Sequence, residues 1–114
     1  MNDERRKTER RAIKGPARLT LAGSPPVIVR MLDISLTGMS AVCDTNLVSN
    51  QPVKIEFNVL VRKTGQLTSL KLNGSITYSV LTNVENGFKI GLKFASPLSD
   101  QASMIILQYM EIKT

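Results

Sequence analysis

The sequence predicts a mainly β protein: a six-stranded antiparallel β-barrel with a flexible basic N-terminal arm and one C-terminal α-helix. Three observations carry this. Six short apolar-rich runs lie between Ala17 and Phe94, and four of them alternate apolar with polar residues, the period of a half-buried strand. Turn-forming clusters of Gly, Pro, Asn, Asp and Ser separate the runs, and regular short strands of this kind suit a small barrel. After Ser96 the apolar spacing lengthens to that of a helix,.

Taken in order, Ala17, Leu19 and Leu21 alternate with Arg18 and Thr20 and form the first strand. AGSPP (22–26) is a turn, because glycine frees the backbone and proline cannot continue a ladder,. Val27 to Ile34 is a β-branched second strand, and SLTG (35–38) turns it back into a short third strand, Met39 to Cys43. Asp44 to Asn50 reads as loop. Val53, Ile55, Phe57, Val59 and Val61 make the cleanest alternation in the chain, the fourth strand,. A turn containing KTG leads to a long fifth strand through Leu70, Leu72, Ile76, Tyr78 and Val80, with Gly74 as the expected bulge,. NVENG (83–87) turns into the sixth strand, Phe88 to Phe94. Ser96 is the expected helix cap with Pro97 in the first position, and the helix runs to about Ile112,. Its stripe of Leu98, Ala102, Ile105 and Tyr109, with Ile106 and Met110 beside it, needs an open end or face of the sheet to cover,.

The 114 residues suit one domain, divided into an arm (1–11), a barrel (12–95) and a helix (96–112),. No apolar run is long enough to span a membrane, and the N-terminus has no apolar core of a secretory signal,. A single cysteine, Cys43, excludes an internal disulfide and suits a reducing cytoplasm,. Histidine is absent. That removes the commonest general base and, with one cysteine, any zinc site of Cys and His. No nucleophile stands near a base at a familiar spacing, so the expectation is a binding protein with no cofactor and no catalytic residues. The net charge of +6 favours anionic partners,.

That charge is unevenly placed. ERRKTERR (4–11) holds five of the fifteen basic side chains. Guanidinium pairs with phosphate through a planar fork and stacks on flat rings, so Arg5, Arg6 and Arg10 could wrap a nucleotide. A basic tail can also be no more than a solvated end. The second candidate is DISLTG (33–38). Asp33 can accept two donors from a guanine edge or hold an arginine, Ser35 can donate and accept, and Gly38 permits close backbone approach or a positive φ. Asp, Ser and Gly are equally ordinary turn residues.

RKTER, with Arg6 and Arg10, and DISLTG, with Asp33, Ser35 and Gly38, occur together in the order RxxxR then DxSxxG. In this the chain resembles the PilZ domain family, and NGSITYSV followed by GFKIGLKF extends the likeness along the barrel. The resemblance implies a six-stranded barrel that binds the bacterial second messenger cyclic di-GMP. It implies that Arg6 and Arg10 clamp the ligand with help from Arg5, while Asp33, Ser35 and Gly38 form the surface half of the site. It offers Tyr78 as an aromatic lining the site, although alternation places Tyr78 on the face of Leu72 and Ile76, where it would be core. Lys7, Thr8 and Glu9 stand between the arginines where the family often has an apolar or aromatic residue. A domain with no output module implies an unidentified downstream protein, in pathways such as motility or biofilm formation. The rival is a basic barrel binding RNA or single-stranded DNA. Such barrels display stacking aromatics, whereas Phe57, Phe88, Phe94, Tyr78 and Tyr109 read here as core or helix stripe.

Overall fold

The computed structural model describes residues 9–61, 64–82 and 87–111. The elements are β1 (Arg11–Ala12), β2 (Pro16–Leu21), β3 (Val27–Ile34), β4 (Gly38–Cys43), β5 (Pro52–Val61), β6 (Gln66–Thr82), β7 (Gly87–Phe94) and one helix, α1 (Asp100–Glu111). Six strands close into an antiparallel barrel in the order β2-β5-β6-β7-β4-β3, with β3 returning to β2. β1 continues β2 along the same edge of β3, pairing Arg11 with Ile34 and Ala12 with Asp33. Gly15 lies between β1 and β2 at φ 114, a backbone that side chains rarely adopt. Sequence reading had put Arg11 in the arm; its pairing with β3 makes it part of the sheet.

Alternation built the interior as expected. Leu19, Val29, Met39, Ile55, Phe57, Ile76, Ile90 and Leu92 all turn inward and are buried. The buried stripe of α1, Ala102, Ile106 and Met110, joins the same cluster, so the helix closes the core against β5. Its cap differs from the expected one. The Ala102 amide donates to Ser99 Oγ at 3.1 Å, and the Ser103 amide to the Ser99 carbonyl at 3.0 Å. Ser99 is therefore the cap, and Ser96 and Pro97 belong to the preceding connection.

β6 is longer than the alternation suggested, and its irregularity lies elsewhere. Gly74 stays in register with Val53 and Phe94. The extra residue is Thr77, where the pairing with β7 slips by one between Ile76 and Tyr78. A second slip occurs in β3 between Met31 and Asp33. Each bulge inverts which face the following residues occupy.

Candidate functional site

The two bulges aim the site. Val29 and Met31 point inward, so unbroken alternation would carry Asp33 into the core. The extra residue Leu32 turns Ile34 inward instead and Asp33 outward, opposite Ser40 of β4. On β6, Leu72 and Ile76 point inward, and the extra residue Thr77 sends Tyr78 outward, opposite Gly91 of β7. Tyr78 is 39% exposed. Of the two readings the sequence left open for Tyr78, a place on the outer surface or a place in the core, the fold takes the first, because the phase of the β-period changes one residue earlier. A Cβ at Gly91 would collide with the Tyr78 ring, so the ring lies directly over a bare stretch of β7.

Asp33 and Tyr78 line one trough of ≈ 520 Å³ on the outer face of β4 and β7, with Arg10, Ser40, Lys89 and Lys93 around them. A larger depression of ≈ 680 Å³ lies at the β2–β3 turn. Lys54 is the one charged side chain in its lining, whereas Arg10, Asp33, Lys89 and Lys93 line the trough.

Arg10, the last residue of the RxxxR segment, meets the DxSxxG segment at this trough. Arg10 Nε donates to Asp33 Oδ1 at 2.7 Å, and Arg10 Nη1 lies 3.5 Å from Ser35 Oγ. Both partners of the ion pair keep part of their side-chain surface in water, 42% for Arg10 and 31% for Asp33. An exposed pair of this kind contributes only about 0–1 kcal/mol. It positions Arg10 while leaving it easy to redirect. Arg5 and Arg6 lie outside the described residues.

Ser35 is completely buried. Its Oγ accepts the Thr37 amide at 3.1 Å and the Gly38 amide at 3.2 Å, while its own amide donates to the Gly38 carbonyl at 2.8 Å. Ser35 therefore holds the β3–β4 turn in shape from within. Gly38 is required for a reason other than φ. A Cβ there would strike the carbonyl oxygen of Leu92, so glycine lets β4 close onto β7. The serine and glycine of the motif thus build the turn, and Asp33 faces the trough.

The trough also contains residues that sequence reading passed over: Ser40, Thr77, Lys89, Gly91 and Lys93. Alternation already placed Lys89, Gly91 and Lys93 on the outer face of their strand. Nothing along the chain showed that this strip of the barrel is the one facing Arg10, because that follows from β4 pairing with both β3 and β7. Among the described residues no cluster of acidic side chains and cysteine is suited to a metal ion, and no helix is long and apolar enough to cross a membrane.

The PilZ domain family model matches residues 4–111. The chain belongs to the PilZ family. Among solved structures, this PilZ chain is similar to the Bacillus subtilis inhibitor of motility MotI/DgrA, with TM-score 0.73 and 12% identity over 88% of this chain and 46% of the other. It is also similar to the Borreliella burgdorferi PlzA protein, solved in complex with c-di-GMP, with TM-score 0.62 and 15% identity over 89% of this chain and 39% of the other. At these identities the likeness is one of fold, and the chain spans less than half of either protein. No curated protein sequence matches it.

Proposed function

We propose that this PilZ chain is a receptor for cyclic di-GMP. The second messenger binds between the N-terminal arginines and the outer face of β3, β4, β6 and β7, and the ligand-bound surface engages a downstream protein. The observation that carries the reading is the contact of Arg10 with Asp33 at 2.7 Å, because it joins the two halves of the family's paired motif at one trough. Binding by PlzA in the solved complex supports the ligand class. The shared fold with a protein named as an inhibitor of motility fits a role in a motility pathway.

The chemistry fits a dianionic, two-guanine ligand. Arg6 and Arg10 supply forks for phosphate oxygens, and Arg5 adds a third cation. Asp33 accepts from a guanine edge once Arg10 turns to phosphate. Tyr78 offers a ring face or edge. Each charge-assisted hydrogen bond contributes about 1.5–3 kcal/mol, so a handful offsets the roughly 1–2 kcal/mol per residue lost in fixing the arm. An arm fixed in this way changes the surface that a partner meets. The protein acts in the cytoplasm and performs no chemistry on the messenger.

Calorimetric titration of the wild type and an Arg6→Ala/Arg10→Ala variant tests this, with GTP and a short RNA as controls. Micromolar or tighter binding of cyclic di-GMP, lost in the variant and absent for the controls, is the expected result. No binding of cyclic di-GMP, or RNA bound as tightly, overturns it in favour of the nucleic-acid reading.

A further inference from the structure

We propose that Lys89 and Lys93 of β7 are phosphate contacts on either side of the Tyr78 ring, and that the Ser40 hydroxyl beneath them is a ligand partner. This rests on the receptor reading and assigns to the barrel wall part of a task that the motifs give to the arm.

The first support is charge. Arg10 already has Asp33 as its counter-ion at the trough. Lys89 and Lys93 line the same trough, and neither has an acidic partner among the described residues. A dianion entering here therefore meets its uncompensated positive charge on β7.

The second is spacing. Lys89, Gly91 and Lys93 occupy alternate positions on the outward face of one strand, which sets the two lysine Cα atoms about 13 Å apart. Gly91, midway between them, carries no side chain, and the Tyr78 ring lies in the space over it. The result is an aromatic platform flanked by two flexible cations. A base can stack on the ring while the phosphates joined to it reach a lysine on each side.

The third is Ser40. It lines the trough in register between Asp33 of β3 and Gly91 of β7. Among the buried side-chain nitrogen and oxygen atoms of the described residues, its hydroxyl oxygen alone has no hydrogen-bond partner. Native proteins rarely leave a buried hydroxyl unpaired. Alanine would remove the unmet hydrogen bond at once, so a hydroxyl at this position of the trough fits a group that finds its partner in a bound ligand.

Calorimetric titration of the full chain with cyclic di-GMP, at low and high salt, tests the assignment in Lys89→Met, Lys93→Met, the double variant and Ser40→Ala. Methionine keeps the apolar stem and removes the charge. Each lysine variant is expected to bind roughly tenfold more weakly, the share of one charge-assisted contact. The double variant should show a shallower salt dependence, with an unchanged melting temperature. Ser40→Ala should bind more weakly while melting at the same or a higher temperature, a combination that a structural serine does not produce. If wild type binds and the double lysine variant binds within about twofold of it, the lysine assignment is overturned and the receptor reading stands. Ser40→Ala with unchanged affinity and a lower melting temperature overturns the serine assignment. If wild type does not bind, the receptor reading itself has failed, and this inference with it.

Discussion

The Tyr109 hydroxyl donates to the Ala12 carbonyl at 2.6 Å, across ninety-seven residues of sequence. One residue earlier, Arg11 Nε donates to the Met110 carbonyl at 3.0 Å. A cation there also complements the negative end of the helix dipole. Arg10, the next residue back, reaches the other way to Asp33. The last turn of α1 and the trough are thus fastened to the same three residues of chain.

Tyr109→Phe removes the hydroxyl and leaves the ring. The expected loss is about 1 kcal/mol, the usual net worth of one hydrogen bond, read as a lower midpoint in urea denaturation. Cyclic di-GMP affinity should fall as well, because Arg10 shares the segment that the bond anchors. Unchanged affinity beside lowered stability would show that the helix end does not help to place Arg10.

Gly38→Ala puts a methyl group against the Leu92 carbonyl, where β4 and β7 are in register. Backbone cannot give way as a side-chain tip can. A destabilisation of roughly 1–3 kcal/mol is expected, as for overpacking in a core. The same change at Gly23, which has nothing within 4 Å but a φ of +77, should cost only about 1 kcal/mol, since the strain there is conformational. Thermal melts of the two variants separate close approach from backbone strain.

Asp33→Asn and Ser35→Ala should part company. The Asp33 ion pair is solvent-exposed, so stability should change by less than about 1 kcal/mol, while ligand binding is lost with the carboxylate. Ser35 is buried and accepts two backbone amides. Its loss should cost about 1–3 kcal/mol through unsatisfied groups. A melt and a titration on each variant give a two-by-two pattern: Asp33 chiefly in affinity, Ser35 in both.

Ser99→Ala removes the cap of α1 and should lower stability by about 1 kcal/mol, whereas Ser96→Ala should be nearly silent. The reverse order in denaturant midpoints would place the helix start where sequence spacing alone had put it.

That misplaced cap illustrates what was legible. Ser96 followed by Pro97 satisfies a local rule for a helix start, and Ser99 followed by Asp100 satisfies it too. The choice depends on where Ala102, Ile106 and Met110 must sit to meet the barrel interior. Likewise Gly74 looked like the bulge because glycine is the residue that tolerates one. It was instead required in the ladder, where a side chain would meet the Lys93 carbonyl, and the bulge fell on Thr77.

The sequence by itself determined the six strands, the terminal helix, most apolar residues of the core and the paired motif to which Arg10 and Asp33 belong. These follow from periods of two and 3.6 residues and from short-range chemistry, all of which are written along the chain. Tertiary structure decided which outer strip of the barrel faces the arginine segment, and the phase of the strands that border it. A β-bulge turns every later side chain to the opposite face, and its position depends on the partner strand's register and not on the residue that bulges. For that reason Tyr78, which alternation places in the core, stands in the trough. Ser40, Lys89 and Lys93, unremarkable in sequence, surround it because β4 pairs with both β3 and β7.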